Sequence, residues 1–494
     1  MPIFSLPGPY GIGVLGREAR KFADLLVSSG LYCWQVLPMV HAGAGHSPYS
    51  GVSAFAGDSL YIDPERLYDK GLITLEELEE SKYPHAPFQV DYDWLINNKP
   101  VILRKAFDRL TPTIRENIHI FIEENSFWLK DYALYMTLKE QGKRITSKAL
   151  LSNHELLSLE KEETYLYYCF LQYEFYEQWV DLKTYCNERG IGFIGDVPFY
   201  VSYDSSDVWS NPGYFQLDND FEPVAVAGTP PDYFSENGQC WGNPLYDWGE
   251  MKRENYDWWM KRISFHLKYN DAIRIDHFRG FERYYSISRE HLDAKSGQWL
   301  EGPGTELFQV LKNELGEVPI IAEDLGTVDE HFFAFLTECG FPGMRVLQFA
   351  FDGSGNNHHL PHNYIHNTVA YSGTHDNNTT LGWIWETSED NRRQAIHYCK
   401  IPEDNWGEGG VFSPVSRSIL RTLYQSVACM VIAPVQDFCG FGADTRTNIP
   451  GKPTDNWKFR FTTENLEQID KEFLWQLSNT YGRNQSFGLT KGKN

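Results

Sequence analysis

Apolar positions along this chain fall into two alternating patterns, short β-branched runs and stretches with helical spacing. From Arg17 to Ser29, Phe22, Leu25, Leu26 and Ser29 recur at three and four, and Gly30 supplies a stop, so the spacing predicts a helix. Leu31–Pro38 then reads as a strand, and His41–Ser50, rich in Gly, Ser and Pro, as the loop at its end. Roughly 67–185 is helical throughout: Thr74 to Glu77 forms a capping box, and Phe127–Lys139 and Tyr165–Leu182 repeat apolar residues at helical spacing. Beyond it, strand-like runs return. Gly190–Pro198, Ala272–Asp276, Val318–Glu323, Met344–Phe349, Asn367–Asp376 and Cys429–Val435 alternate with helices at Glu306–Leu315, Phe332–Cys339 and Ser418–Val427.

Strand and helix in alternation predict an α/β fold, a (β/α)8 TIM barrel with a large helical insertion and long loop-rich insertions at its C-terminal rim. The barrel takes residues 1–66 and 186–494, including a loop-rich rim subdomain over about 197–265. Residues 67–185 form the helical insertion. Four of the apolar runs stop at an acid: Asp196, Asp276, Glu323 and Asp376. A parallel barrel gathers strand ends on one rim, so acids far apart in sequence converge there. For Asp276 the structural alternative is an ion pair with Arg274, two residues back on the same strand face.

Composition narrows the chemistry. Aromatic residues make up 15% of the 494, with 15 Trp, 29 Tyr and 31 Phe, more than core packing alone requires. Flat rings with polar tips suit sugars. The net charge of −23 opposes nucleic-acid phosphates and anionic lipid surfaces, which favours a neutral substrate. Eight scattered cysteines lack zinc-site spacing and read as reduced thiols. Neither a signal core nor about 18 uninterrupted apolar residues occurs, so the reading is cytoplasmic, with no membrane partner.

Carboxylates gathered at one site push their pKa values apart, leaving an acid beside a nucleophile, the equipment that cleaves a glycosidic bond. The competing chemistry is a metal: His277 and His375 with these acids offer ligands for Mg²⁺ or Zn²⁺, although no His-x-x-x-His or Glu-x-x-His spacing supports it. His358, His359 and His362 read as an exposed loop cluster.

Arg274-Ile275-Asp276, Glu323 after its strand and His375-Asp376 resemble the strand-end signatures of the α-amylase clan. Ser47-Pro48-Tyr49, Gly195-Asp196-Val197-Pro198, Pro231-Asp232-Tyr233-Phe234-Ser235, Gly238-Gln239, Trp241-Gly242-Asn243-Pro244 and Ala322-Glu323-Asp324-Leu325-Gly326 resemble, more specifically, the 4-α-glucanotransferase (amylomaltase, disproportionating enzyme) family. Asn448, Pro450-Gly451, Asn456-Trp457 and Arg460 resemble its closing segment. The resemblance spans about residues 5–460. It implies a hexosyltransferase that moves α-1,4-glucan segments with retention, from a glucan donor to glucose or a maltooligosaccharide, without metal or organic cofactor. Carried over, Asp276 is the nucleophile, Glu323 the acid/base, and Asp376 a group that holds hydroxyls of the distorted sugar. Arg274 keeps Asp276 ionised, and Tyr49, Asp196, His277 and His375 line that subsite. Asp232, Tyr233, Phe234, Gln239 and Trp241 belong to a loop over the acceptor side. Cys240 and the run His41–His46 depart from the family's pattern without touching the chemical residues. An α-glucan hydrolase on the same barrel and a non-catalytic glucan-binding scaffold are the alternatives.

Overall fold

The computed structural model describes all residues except 144–145, 232–236, 291, 327, 453 and 486–494. Seven parallel strands form the central sheet: β1 (Cys33–Gln35), β2 (Gly192–Val197), β5 (Ala272–Ile275), β8 (Ile320–Ala322), β9 (Gly343–Val346), β10 (Thr368–Tyr371) and β11 (Met430–Ile432), hydrogen-bonded in that order. Their residues are buried on both faces, as in a sheet wrapped by helices: β2, β5, β8 and β10 are buried along their whole length. The sheet is nearly closed as a barrel. Seven described strands rather than eight are hydrogen-bonded; β11 and β1 leave a seam that Met1 borders, its amino group donating to the Gln35 carbonyl at 3.4 Å.

The rim stretch read as loops contributes two strands to a second sheet. β3 (Ala225–Thr229), β4 (Gln239–Pro244), β6 (Arg283–Ser288) and β7 (Gln298–Glu301) are antiparallel, ordered β4-β3-β6-β7. Helices Trp248–Arg253 and Asp257–Tyr269 follow on the same stretch. β3 is too rich in small residues to show alternation, and β4 exposes Cys240, Trp241 and Gly242, so neither carries a hydrophobic period of its own. Pairing with β4 on one side and with β6, some sixty residues later, on the other makes β3 a strand. The run through Met344–Phe349 also divides: the strand stops at Val346, and Leu347–Phe349 is a 3₁₀ turn.

Between β1 and β2 every described element is a helix. The longest, Glu163–Asn187, is aromatic and buried along much of its length, and it fastens to loops after β1 through buried amides. Gln172 accepts from the Gly57 N–H at 2.7 Å and donates to the Gly57 carbonyl at 2.9 Å, while Gln178 accepts from the Asp63 N–H at 2.7 Å. A Cβ on Gly57 would lie 2.1 Å from the Phe175 ring, so the glycine permits this close approach. Gln172→Leu strands a buried donor and a buried acceptor and is expected to cost about 2–4 kcal/mol in urea unfolding; a change under about 0.5 kcal/mol would show that these bonds contribute little. The capping box at Thr74 and Glu77 forms as the sequence predicts.

All eight cysteines are free. Among the described residues no helix is long and apolar enough to cross a membrane, and no three His, Cys, Asp or Glu side chains come together as metal ligands. His359 departs from the exposed-loop reading. It is buried, its Nδ1 accepts from the Val346 N–H at 3.1 Å, and burial holds its pKa down at about 2, so it is a structural acceptor beneath β9.

Candidate active site

The four acids reach the rim in three different ways, and strand register decides which. β5 pairs with β8 so that Ile275 lies opposite Ala322, and the next residues are Asp276 and Glu323. The two carboxylates therefore leave neighbouring parallel strands at one level. Hydrogen-bonded strands lie about 4.8 Å apart, the scale of the roughly 5 to 5.5 Å separation used by retaining glycosidic pairs.

Asp196 instead lies inside β2, opposite Arg274 in the register. Its side chain is wholly covered, whereas Asp276 is 30% exposed. Arg274 Nη1 donates to both Asp196 oxygens at 2.8 and 2.9 Å, and Nη2 donates to Asp276 Oδ1 at 2.9 Å. Although burial disfavours the guanidinium, the carboxylates of Asp196 and Asp276 hold its pKa well above the ordinary arginine value. The ion pair read as an alternative to chemistry is thus present, and it aims a fixed positive charge at Asp276. Asp196 stands behind the cleft wall rather than lining it; Tyr49 Oη, which donates to it at 2.8 Å, does line the cleft.

Asp376 sits five residues beyond β10 on the loop Ser372–Asn377. That loop is tied to the closing segment: Asn448 Nδ2 donates to Asp376 Oδ1 at 2.6 Å, Arg446 Nη2 donates to the Asp376 carbonyl at 2.6 Å, and the Asn448 N–H donates to the His375 carbonyl at 3.1 Å. The His375 ring stacks on Tyr49 with centroids 4.9 Å apart, and Trp457 packs beside both. Asn448 and Trp457 carried no assigned role in the sequence; their signal was the resemblance of Asn448, Pro450-Gly451 and Asn456-Trp457 to the family's closing segment.

Glu323 is held from below. Its Oε2 accepts from the His277 N–H at 2.8 Å and its Oε1 from the Leu325 N–H at 2.6 Å. Burial and the neighbouring Asp276 charge push its pKa up to about 8 in spite of Arg274 and these two N–H groups. His277 adopts left-handed backbone, φ 49°. Its ring meets Trp241 edge-on, centroids 4.9 Å apart, and desolvation lowers its pKa to about 4, so it is neutral at pH 7, and its Nε2 has no partner among the described residues.

These residues line one cleft of about 720 Å³, with Tyr49, Asp276, His277, Glu323, His375 and Asp376 at its base and Gln239 and Trp241 on one wall. Trp241 Nε1 donates to Gln239 Oε1 at 3.1 Å. Opposite β4, Trp299 of β7 also faces the cleft, with Arg279 over its ring at 4.5 Å; nothing in the sequence pattern marks it. Asp232, Tyr233 and Phe234 lie outside the described residues.

A near-closed parallel barrel with a raised-pKa carboxyl beside an arginine-paired carboxylate defines an enzyme that works on glycosidic bonds. The family model described as Glyco_hydro_77, 4-alpha-glucanotransferase, matches residues 1–466, and this chain belongs to that family. A 4-alpha-glucanotransferase of Clostridium butyricum is 42% identical over 98% of this chain and 100% of its own length. A chloroplastic/amyloplastic 4-alpha-glucanotransferase of Solanum tuberosum is 38% identical over 97% of this chain and 85% of its own. An amylomaltase from Streptococcus agalactiae, solved in complex with acarbose, superposes with a TM-score of 0.93 at 38% identity, covering 98% of each chain.

Proposed function

We propose that the cleft transfers segments of α-1,4-glucan through a covalent glycosyl–Asp276 intermediate, with Glu323 as acid and then base. In the first half-reaction Glu323 gives its proton to the glycosidic oxygen while the Asp276 carboxylate attacks the anomeric carbon. The C1–O bond breaks and the shortened glucan leaves. In the second, the Glu323 carboxylate takes the proton of an acceptor hydroxyl, which attacks C1 and displaces Asp276. Configuration is inverted twice and so retained.

The observation that carries this reading is the register of β5 and β8, which sets Asp276 beside Glu323, with Arg274 hydrogen-bonded to the former. A proton resides on the carboxyl raised to about 8, as an acid must hold it near neutrality. Asp376, 43% exposed and fixed by Asn448, holds sugar hydroxyls at the cleavage point. Tyr49 and His375 form a wall for that ring. Asp196 acts through Arg274 and Tyr49 as a positioning residue. Gln239 and Trp241 cover the acceptor side and exclude water, so that a hydroxyl of glucose or a maltooligosaccharide intercepts the intermediate.

Incubation with pure maltotriose tests this directly. Chromatography is expected to show glucose and a ladder of longer glucans with no net gain in reducing ends. A steady gain would make the protein a hydrolase instead.

A further inference from the structure

Away from the cleft, helix Thr380–Glu386 carries an exposed tryptophan. Trp385 is 59% exposed, yet its ring is held from three directions. Its Nε1 donates to the Gly407 carbonyl at 3.2 Å, Trp406 meets it with ring centroids 4.7 Å apart at 52°, and a Cβ on Gly407 would lie 2.5 Å from its Cζ2. Trp406 is itself covered by the Arg392 guanidinium at 5.0 Å. Exposed tryptophan in water is unfavourable, and the contact with Trp406 leaves 59% of Trp385 exposed. A ring already held rigid loses little entropy when something stacks on it.

The surroundings indicate what stacks. Next to Trp406 in the chain the residues are polar: Asn405 donates through Nδ2 to Glu408 Oε2 at 3.4 Å. Two tilted rings, one of them largely exposed, suit a ligand with apolar faces and hydroxyl edges. The strongly acidic chain disfavours anionic partners, and two rings make too small an apolar patch for a stable protein interface. The helix is also joined to the catalytic rim: it follows directly on the loop bearing Asp376, and Glu386 accepts from Asn378 Nδ2 at 2.7 Å.

We infer that Trp385 and Trp406 form a surface binding platform for α-glucan chains, separate from the catalytic cleft, that retains polymeric substrate beside the rim. This rests on the reading of the cleft as glucan-transferring. Short substrates fill the cleft alone, so the platform affects polymers and not maltotriose.

The test is affinity gel electrophoresis in glycogen or amylose, with kinetics on amylose and on maltotriose, for Trp385→Ala, Trp406→Ala and the double variant. Removal of an anchoring ring is expected to weaken polysaccharide retention about tenfold and to raise KM for amylose, with maltotriose disproportionation unchanged and Trp385→Phe retaining most of the binding. Trp385 is exposed, so its variant decides the matter if Trp406→Ala folds poorly. Unaltered retention and amylose KM would overturn the platform, and so would an equal loss on maltotriose. Failure of the wild-type protein to disproportionate maltotriose would overturn the reading of the cleft instead.

Discussion

Asp276→Asn is expected to lower kcat for maltotriose disproportionation by on the order of 10⁴-fold or more, with KM changed only a few-fold. The amide keeps the shape of the carboxylate and a hydrogen-bond acceptor for Arg274 Nη2, which now donates to Asp276 Oδ1 at 2.9 Å. It cannot form the ester to the sugar, so the loss falls on chemistry rather than on binding. Removing the charge also leaves Arg274 with Asp196 as its one carboxylate partner among those it now bonds. The protein should stay folded, since Arg274 remains paired. Thermal unfolding and single-turnover kinetics separate the two effects. A loss below about 100-fold would take the nucleophile's role away from Asp276.

Glu323→Gln carries the second large expected effect, and its signature is in pH. With its carboxyl raised to about 8 by burial and the adjacent Asp276, wild-type kcat/KM is expected to fall as pH rises through about 8, when the proton needed by the leaving oxygen is lost. The glutamine variant should lack that limb and lose roughly 10³-fold or more on maltotriose. With α-glucosyl fluoride as donor, whose leaving group needs no proton, formation of the glycosyl-enzyme should recover. Persistence of the basic limb in the variant would assign it to another group.

The same shift affects stability. A carboxyl whose folded pKa lies above its unfolded value favours folding least at high pH: the unfolded chain ionises from about 4.5 upward, while the folded one holds its proton until about 8. Wild type should therefore lose this contribution across that window. Glu323→Gln does not titrate, so its Tm relative to wild type should rise between pH 4.5 and 8 and level off above.

Much of the site was legible because its residues announce themselves locally. Ala272–Ile275 and Ile320–Ala322 are short apolar runs halted at once by an acid, and the structure puts Asp276 and Glu323 one residue past those strands. Asp196 and Asp376 carried the same pattern and ended elsewhere, one inside a strand and covered, the other on a loop five residues on. Nothing in a single run tells where a strand's last hydrogen bond falls. β3 and β4 were read as loop because their strand character comes from partners, and Trp299 reached the cleft only through that second sheet.

By itself the sequence determined the alternation of strand and helix, the helical stretch between the first two barrel strands, and which acids follow apolar runs, since these depend on side-chain period and local turn chemistry. Only the tertiary structure decided that Ile275 stands opposite Ala322 and Arg274 opposite Asp196. Register is a property of two strands at once, set by packing across the barrel. From it follow the adjacency of Asp276 and Glu323 and the hydrogen bond of Arg274 to Asp276.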